Sequence, residues 1–164
     1  MEAVQAGDAE AFTTLFGRHR AALFGYALRM VGRQELAEEV FQETFLSVHR
    51  ARHTWTGHEG SFRSWLFRIA TNNVRDRLRQ AARRPEILTD EEPVLPAAVH
   101  LDERIALEQA LRQLPEPMRE AFVLGVVVGL DHKELAEALD VSPDNARARV
   151  SRARARLREL LEST

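Results

Sequence analysis

Apolar residues recur along this chain at the three- and four-residue spacing of amphipathic helices, and no segment shows the alternation typical of a β-strand. The run Val126-Val127-Val128 is too isolated to form a sheet. The spacing predicts three helices in the first half and four in the second, at about 7–30, 35–50, 61–82, 101–114, 118–128, 130–139 and from 142 onward. The pattern therefore predicts an all-α protein.

Prolines divide these helices into two groups. There is none before Pro85, and three then fall within twelve residues that are also rich in acids. Because proline and clustered acids oppose helix and core formation, residues 82–100 are predicted to be a flexible linker. We therefore expect two small helical domains, residues 1–81 and 101–164, joined by this linker.

The predicted helix at 35–50 has two different faces. One face carries apolar side chains at helical spacing and is expected to pack inward, namely Phe41, Phe45 and Val48 together with Thr44. The opposite face is polar and consists of Glu35, Glu39, Gln42 and Glu43, with Leu36 and Leu46 alongside. We expect this polar face to be exposed.

The next helix begins at Ser61, a good N-cap, and its faces are mixed. Its inward stripe is predicted to consist of Phe62, Trp65, Leu66 and Ile69. The same helical wheel brings three polar residues onto this stripe, Asn72, Asn73 and Asp76. Buried polar groups need partners, so these side chains either bond to neighbouring backbone or line a pocket. A cationic line follows one flank of the helix, formed by Arg68, Arg75 and Arg79.

The end of the chain predicts a helix-turn-helix, with a short helix at 130–139, a brief turn and a longer basic helix. Ser142 is a suitable N-cap and Pro143 suits the first helical position. The apolar stripe of the last helix is Ala146, Val150, Ala153, Leu157 and Leu160. The opposite face carries Ala148, Ser151, Arg152 and Ala155, with Asn145 and Arg147 at its edges. Small residues there would let the helix approach the floor of the DNA major groove.

The net charge of −2 conceals a strong segregation of charge. Residues 62–84 contain seven arginines and one acid, and residues 142–164 contain six arginines and three acids. The acidic segment 86–108 lies between them. Two basic blocks predict two surfaces that face a polyanion such as DNA.

Several classes of protein are disfavoured. The chain has no cysteine, which excludes disulfides, thiolate zinc sites and cysteine nucleophiles. It has neither a signal peptide pattern nor an apolar run long enough to span a membrane, so a cytoplasmic location is expected. His49, His53 and His58 have no suitably placed acid around them, so neither a metal site nor an enzyme is predicted, and no cofactor is expected.

These residues together resemble the extracytoplasmic-function (ECF) group of bacterial RNA polymerase sigma factors, over nearly the whole chain. Residues 7–12 resemble the family's opening, and residues 37–45 its polymerase-binding helix in region 2. Residues 62–70, with Asn72, Asp76 and Arg79, resemble the helix that reads and melts the −10 element. Residues 114–116, 129–130, 134–136 and 147–157 resemble region 4. In the turn of region 4, Asp140 stands where the family often has glycine, and Asp adopts left-handed conformations better than most residues.

The resemblance implies roles for individual residues. It implies docking on core polymerase by Glu39, Gln42, Glu43 and Leu46. It implies contacts with the −10 element, including a flipped base, by Trp55, His58, Arg68, Asn72, Arg75 and Arg79. It implies contacts with the −35 element by Asn145, Arg147, Ala148, Ser151 and Arg152.

The implied partners are promoter DNA, an anti-sigma factor, and core RNA polymerase through the clamp helices and flap of its two large subunits. The implied function is to direct core polymerase to specific promoters and to help open the DNA. Membrane insertion is not implied.

Two other functions stay open. A helix-turn-helix regulator without initiation activity shares the last two helices, but the polar face at 35–50 and the motif at 62–79 argue against it. A sigma-like decoy that captures an anti-sigma factor is expected to have a degraded basic face, whereas this chain keeps its arginines.

Overall fold

The computed structural model describes residues 1–57, 60–84 and 101–163, and every regular element in these ranges is a helix. In chain order the elements are α1 (Glu2–Gln5), α2 (Ala9–Val31), α3 (Gln34–Ala51), α4 (Phe62–Arg83), α5 (Leu101–Gln113), α6 (Glu116–Phe122), a π-helical segment (Val123–Val128), α7 (His132–Leu139) and α8 (Pro143–Glu162). The prediction of an all-α fold is confirmed. The short helix α1 was not predicted from the sequence pattern. The predicted linker, residues 82–100, lies outside the described residues from 85 onward.

The helix ends follow the signals in the sequence. The Ser61 hydroxyl accepts a hydrogen bond of 3.1 Å from the backbone N–H of Ser64, and the Ser142 hydroxyl accepts one of 3.2 Å from that of Asn145. Both predicted N-caps are therefore confirmed. At the end of α7, Asp140 adopts the left-handed conformation expected of it, with a φ of 55°. These caps define the turn between α7 and α8.

The core of the N-terminal part (residues 1–84) lies between α2, α3 and α4. Its most buried large side chains include Leu23, Tyr26, Val40, Val48, Leu66 and Phe67. The Tyr26 hydroxyl forms a hydrogen bond of 3.1 Å with that of Thr71. Burial, reinforced by the nearby charge of Glu120, raises the pKa of Tyr26 well above its ordinary value, so the hydroxyl stays neutral.

Helix α4 buries a different face from the one predicted. Its buried side chains are Ser64, Leu66, Phe67, Ala70, Thr71, Val74 and Ala81, whereas Phe62, Trp65 and Ile69 are half-buried. Asn72 and Asp76 are exposed, so the prediction that they face inward was wrong. Asn73 is half-buried and donates a hydrogen bond of 3.1 Å to the Thr44 hydroxyl. The error arises because α4 is contacted by α2 and α3 and also by α7, so that its buried surface is wider than one stripe.

Helices α5 to α8 form the C-terminal part (residues 101–163). The predicted inward stripe of α8 is confirmed, since Ala146, Val150, Ala153 and Leu157 are buried and Leu160 is half-buried. Gly129 ends the π-helical segment with a φ of 81°, a left-handed conformation that glycine adopts readily. The stripe holds α8 against α5 and α6, and its opposite face is left for solvent.

The two parts pack directly against each other. A continuous hydrophobic cluster contains residues of both, and α4 lies along α7. Ion pairs also cross the contact, at 2.9 Å between Arg29 and Glu108 and at 2.7 Å between Arg75 and Glu120. The sequence pattern did not predict this contact, because it depends on single pairs 45 and 79 positions apart rather than on a repeating pattern.

Candidate nucleic-acid and partner surfaces

The four residues assigned to polymerase docking share the solvent side of α3. Glu39, Gln42, Glu43 and Leu46 are all exposed, Leu46 to 43%. Leu36, expected beside them, is buried instead. Leu46 also lines an apolar groove together with Phe41 and Phe45, and a contiguous exposed apolar surface of this kind is suited to an interface.

The carboxylates of this face are paired but remain accessible. Glu39 lies 2.6 Å from Arg77 of α4, and Glu43 lies 3.5 Å from Arg50. The Glu39 side chain is 49% exposed and that of Glu43 is 50% exposed. Exposed ion pairs of this kind contribute at most about 1 kcal/mol, so a basic partner can replace the internal arginines at little cost.

An apolar groove of about 550 Å³ opens between α2 and α3, beside the docking face. The ring of Phe16 meets that of Phe45 edge-on at 4.4 Å and that of Phe41 at 5.3 Å. The Arg20 guanidinium lies 6.0 Å from the centre of the Phe41 ring. Sequence reasoning assigned Phe41 and Phe45 to the core, and it missed that these half-buried rings also form a surface together with Gln42 and Leu46.

The residues assigned to the −10 element lie in the loop after α3 and along α4. Asn72 is exposed, as contact with a base requires, although the helical wheel predicted otherwise. Arg79 is also exposed and pairs with Asp76 of the same helix. His58 lies outside the described residues.

Hydrogen bonds from Gln5 connect the loop around Trp55, after α3, to the start of the chain. The carbonyl oxygen of Trp55 accepts a hydrogen bond of 2.5 Å from the Gln5 amide, which also donates one of 2.9 Å to the carbonyl of Arg52. The indole N–H of Trp55 is buried and has no hydrogen-bond partner in the described part of the chain. Sequence reasoning missed this anchoring by Gln5, because α1, at four residues, is too short to show a helical period.

Two of the cations assigned to the −10 element face the C-terminal part in this structure. Arg75 donates two hydrogen bonds to the Glu120 carboxylate, at 3.1 and 2.7 Å, and the Glu120 side chain is only 2% exposed. Burial raises the pKa of Glu120, and the hydrogen bonds and charge of Arg75 oppose that shift. Arg68 lies 3.4 Å from Asp140 at the end of α7.

The outer face of α8 has the predicted composition. Asn145, Arg147, Ser151 and Arg152 are exposed, and Ala148 is half-buried. The cations near its start are already paired within the helix. Arg147 lies 3.4 Å from Asp144, and Arg149 donates a hydrogen bond of 2.9 Å to Asn145. The Arg152 side chain makes no hydrogen bond or ion pair with any part of the chain that the structure describes. Its five N–H donors are therefore available to an outside acceptor.

Within the described ranges, no group of three or more His, Asp or Glu side chains is placed to hold a metal ion. His49, one of three histidines weighed as metal ligands, packs edge-on against Phe12 at 5.3 Å. None of the helices described here is both long enough and apolar enough to cross a bilayer.

Both parts of the chain match families of known proteins. The Sigma-70 region 2 family matches residues 15–84, and the Sigma-70, region 4 family matches residues 104–157. The RNA polymerase sigma factor CarQ of Myxococcus xanthus is 38% identical over 98% of this chain and 95% of its own length. The ECF RNA polymerase sigma factor SigM of Mycobacterium tuberculosis is 36% identical over 95% of this chain and 80% of its own. The chain belongs to the ECF sigma factors.

Two solved structures share the arrangement of helices. CnrH, in complex with the cytosolic domain of CnrY, superimposes with a TM-score of 0.76 at 31% identity, over 98% of this chain and 93% of its own. The sigma factor RpoE of Bartonella quintana, in complex with the anti-sigma factor NepR, superimposes with a TM-score of 0.80 at 24% identity. The match covers 94% of this chain and 98% of the RpoE chain. In this ECF sigma factor, the region 2 match takes in α3, α4 and most of α2, and the region 4 match takes in most of α5 to α8.

Proposed function

We propose that this ECF sigma factor binds core RNA polymerase, directs it to promoters with defined −10 and −35 elements, and helps to open the DNA. The observation that carries the proposal is the outer face of α8, where small side chains flanked by arginines lie opposite a buried stripe. This composition suits a helix that enters the major groove, with cations at the height of the phosphates.

Polymerase docking is assigned to the exposed face of α3 and the adjoining groove. The clamp helices of the largest subunit would contact Glu39, Gln42, Glu43 and Leu46 there, and the flap of the other large subunit would contact region 4. The Leu46 side chain and the half-buried phenylalanine rings offer apolar area, and the two carboxylates offer charge. A central apolar contact with a charged surround is the usual composition of a specific protein interface.

Recognition of the −10 element is assigned to α4 and to the loop before it. The exposed Asn72 amide can both donate to and accept from the edge of a flipped base. Extracting a base costs a few kcal/mol, which stacking on an aromatic ring and phosphate contacts must offset. Trp55 and His58 are the proposed loop contacts, and Arg68, Arg75 and Arg79 are the proposed cations.

Recognition of the −35 element is assigned to α8. Arg152 projects from its outer face and can donate two parallel hydrogen bonds to a guanine edge. Ala148 and Ser151 would allow close approach, and Asn145 and Arg147 lie at the start of the helix, where further base or phosphate contacts form.

Control by an anti-sigma factor is the final part of the proposal. It is supported by CnrH, which shares 31% identity over nearly the whole chain and whose structure is that of a complex with CnrY. We place the two functional units at residues 1–81 and 101–164, with residues 82–100 as their tether, and we place the protein in the cytoplasm.

Run-off transcription with purified core polymerase on a promoter library tests the proposal. The expected result is transcripts from a defined subset of promoters, produced only when this chain is added. Promoter binding without transcripts would indicate a helix-turn-helix regulator. Capture of an anti-sigma factor with neither binding nor transcripts would indicate a decoy. A variant in which Gln42→Ala is combined with Glu43→Lys serves as the matched control, since it should lose transcription and keep the fold.

A further inference from the structure

One side chain of α1 reaches the loop that follows α3. The Gln5 amide nitrogen donates a hydrogen bond of 2.9 Å to the carbonyl of Arg52 and one of 2.5 Å to that of Trp55. An amide nitrogen carries two donors, so both are used on this loop. The acceptors lie 47 and 50 positions further along the chain. Gln5 therefore joins the start of the chain to the loop segment 52–57 through a single group.

The position of Gln5 is itself fixed by the fold of the first residues. Its neighbour Val4 is buried, with an exposure of 2%. After α1 the chain turns at Gly7, whose φ of 90° suits glycine. The Asp8 side chain then caps α2 by accepting a hydrogen bond of 2.9 Å from the N–H of Ala11. Gln5 lies between a buried neighbour and a closed turn, so it can act as a rigid support for the loop.

The two carbonyls need these donors because they lie where α3 has ended. The last carbonyl groups of a helix have no partner within it. The carbonyl of Ala51, the final residue of α3, is met from within the loop, since it accepts a hydrogen bond of 2.7 Å from the Thr54 hydroxyl. The carbonyls of Arg52 and Trp55 are met by Gln5 instead. The path of the loop thus depends on a side chain from outside it.

The Trp55 side chain supplies no polar anchor of its own in the described part of the chain. Its indole N–H is buried and has no hydrogen-bond partner there. Its ring lies against Gly57, where an added Cβ atom would be 3.4 Å from the ring. Apolar contact is not directional. The hydrogen bond from Gln5 to the carbonyl of Trp55 is directional, so it orients this residue.

We propose that Gln5 is a positioning residue for recognition of the −10 element: its two hydrogen bonds hold the loop segment 52–57 in the conformation that presents Trp55 to a promoter base. The proposal rests on the function proposed above, since that function assigns this loop to the −10 element. Gln5 acts through the loop backbone and does not itself contact DNA. A positioning role predicts a change in which −10 bases are preferred, whereas support of the fold alone would lower transcription from all promoters alike.

The test removes the donors and keeps the length of the side chain. Gln5→Met has no hydrogen-bond donor, whereas Gln5→Lys keeps donors, because an ammonium group carries three. Gln34→Met is the matched control, since the exposed Gln34 amide donates a hydrogen bond of 3.0 Å to Glu38 within α3. If Gln5→Met loses helical circular dichroism, Gln5→Glu replaces it, because a carboxylate has the shape of the amide and cannot donate.

The first measurement concerns the loop in the full chain without DNA. The chain has two tryptophans, so Trp65→Phe leaves Trp55 as the only one. Quenching of Trp55 fluorescence by acrylamide should increase with Gln5→Met, because a released loop exposes the half-buried ring. It should stay at the unaltered level with Gln5→Lys and with Gln34→Met. Equal quenching in all these proteins would overturn the proposal.

The second measurement is run-off transcription by the holoenzyme. The templates are a transcribed member of a promoter library and its single-base variants in the −10 and −35 elements. Gln5→Met should reduce discrimination between −10 bases about two- to tenfold, the effect of one net hydrogen bond, and should leave −35 preferences unchanged. Gln5→Lys should restore the discrimination, and Gln34→Met should not alter it.

The two kinds of failure are distinguishable. Unchanged −10 discrimination with Gln5→Met, or an equal loss on every template, would overturn the positioning role while the proposed function stands. Absence of transcripts with the unaltered chain would refute the proposed function, and with it any role of Gln5 at a promoter. The quenching measurement would then still show whether Gln5 fixes the loop.

Discussion

The buried pair between Arg75 and Glu120 gives the most quantitative prediction, because it joins α4 of region 2 to α6 of region 4. The substitution Glu120→Leu removes the acceptor of two hydrogen bonds and leaves the Arg75 guanidinium without its counter-charge. Breaking a fully buried pair costs about 3–5 kcal/mol. The Arg75 side chain is 29% exposed and can partly regain water, so we expect a loss of about 2–4 kcal/mol in the free energy of unfolding.

The assay is urea unfolding at neutral pH, followed by far-ultraviolet circular dichroism. Glu159→Leu is the matched control, because its 2.8 Å pair with Arg156 is exposed on both sides and should contribute less than about 1 kcal/mol. A double variant, Glu120→Leu with Arg75→Met, should recover most of the loss, since no charge is then left unpaired. The reasoning is refuted if Glu120→Leu costs no more than the control, or if the double variant is as unstable as the sum of the single changes.

Three further predictions concern separate surfaces. Gln42→Ala combined with Glu43→Lys should weaken binding to core polymerase in a pull-down while the melting temperature stays unchanged, because both side chains are exposed; unaltered binding would remove this face from the interface. Arg152→Ala should change which −35 sequences the holoenzyme prefers, with a loss of about 1–3 kcal/mol of base discrimination, whereas Arg156→Ala should weaken all sequences alike. Equal, sequence-blind losses would leave α8 as an electrostatic contact. His19 should make stability depend on pH, since burial, aided by two nearby arginines, lowers its pKa from 6.5. The neutral ring is favoured in the fold, so its contribution is present above about pH 6.5 and is lost as the pH falls below that value. The unfolding free energy of His19→Gln should lack this component, and an unchanged pH profile would contradict the assignment.

Helix α8 could be predicted from the sequence because its apolar residues keep the same helical spacing along its whole length. Ser142 and Pro143 define its start, and a single apolar stripe faces α5 and α6. Helix α4 could not be predicted in the same way. It has neighbours on more than one side, and Ser64 and Thr71 are buried because each finds a hydrogen-bond partner. A helical wheel built on apolar residues alone cannot anticipate such partners.

The surfaces, like the helices, could be predicted only where the sequence carries a periodic pattern. The polar face of α3 is exposed because a regular apolar stripe lies on the opposite side of the helix. The contact between regions 2 and 4 could not be predicted, because single pairs such as Arg29 with Glu108 leave no periodic trace in a sequence. The excess of arginine on α4 predicts a surface for a polyanion, but nothing in the pattern indicated that Arg75 pairs with a carboxylate of the chain itself.

The order of the helices along the chain has a consequence for protein synthesis. The arginines of α4 leave the ribosome before the acids of α6 and α7 have been translated. At about 5–20 residues per second, the interval from Arg84 to Leu139 takes roughly 3–11 s. During that time Arg63 and Arg75 face solvent without the carboxylates of Glu134 and Glu120 that pair with them in the finished chain. If the messenger RNA is truncated after the codons of α4, or if the ribosome stalls there, the resulting fragment keeps these arginines unpaired with region 4 for its whole lifetime.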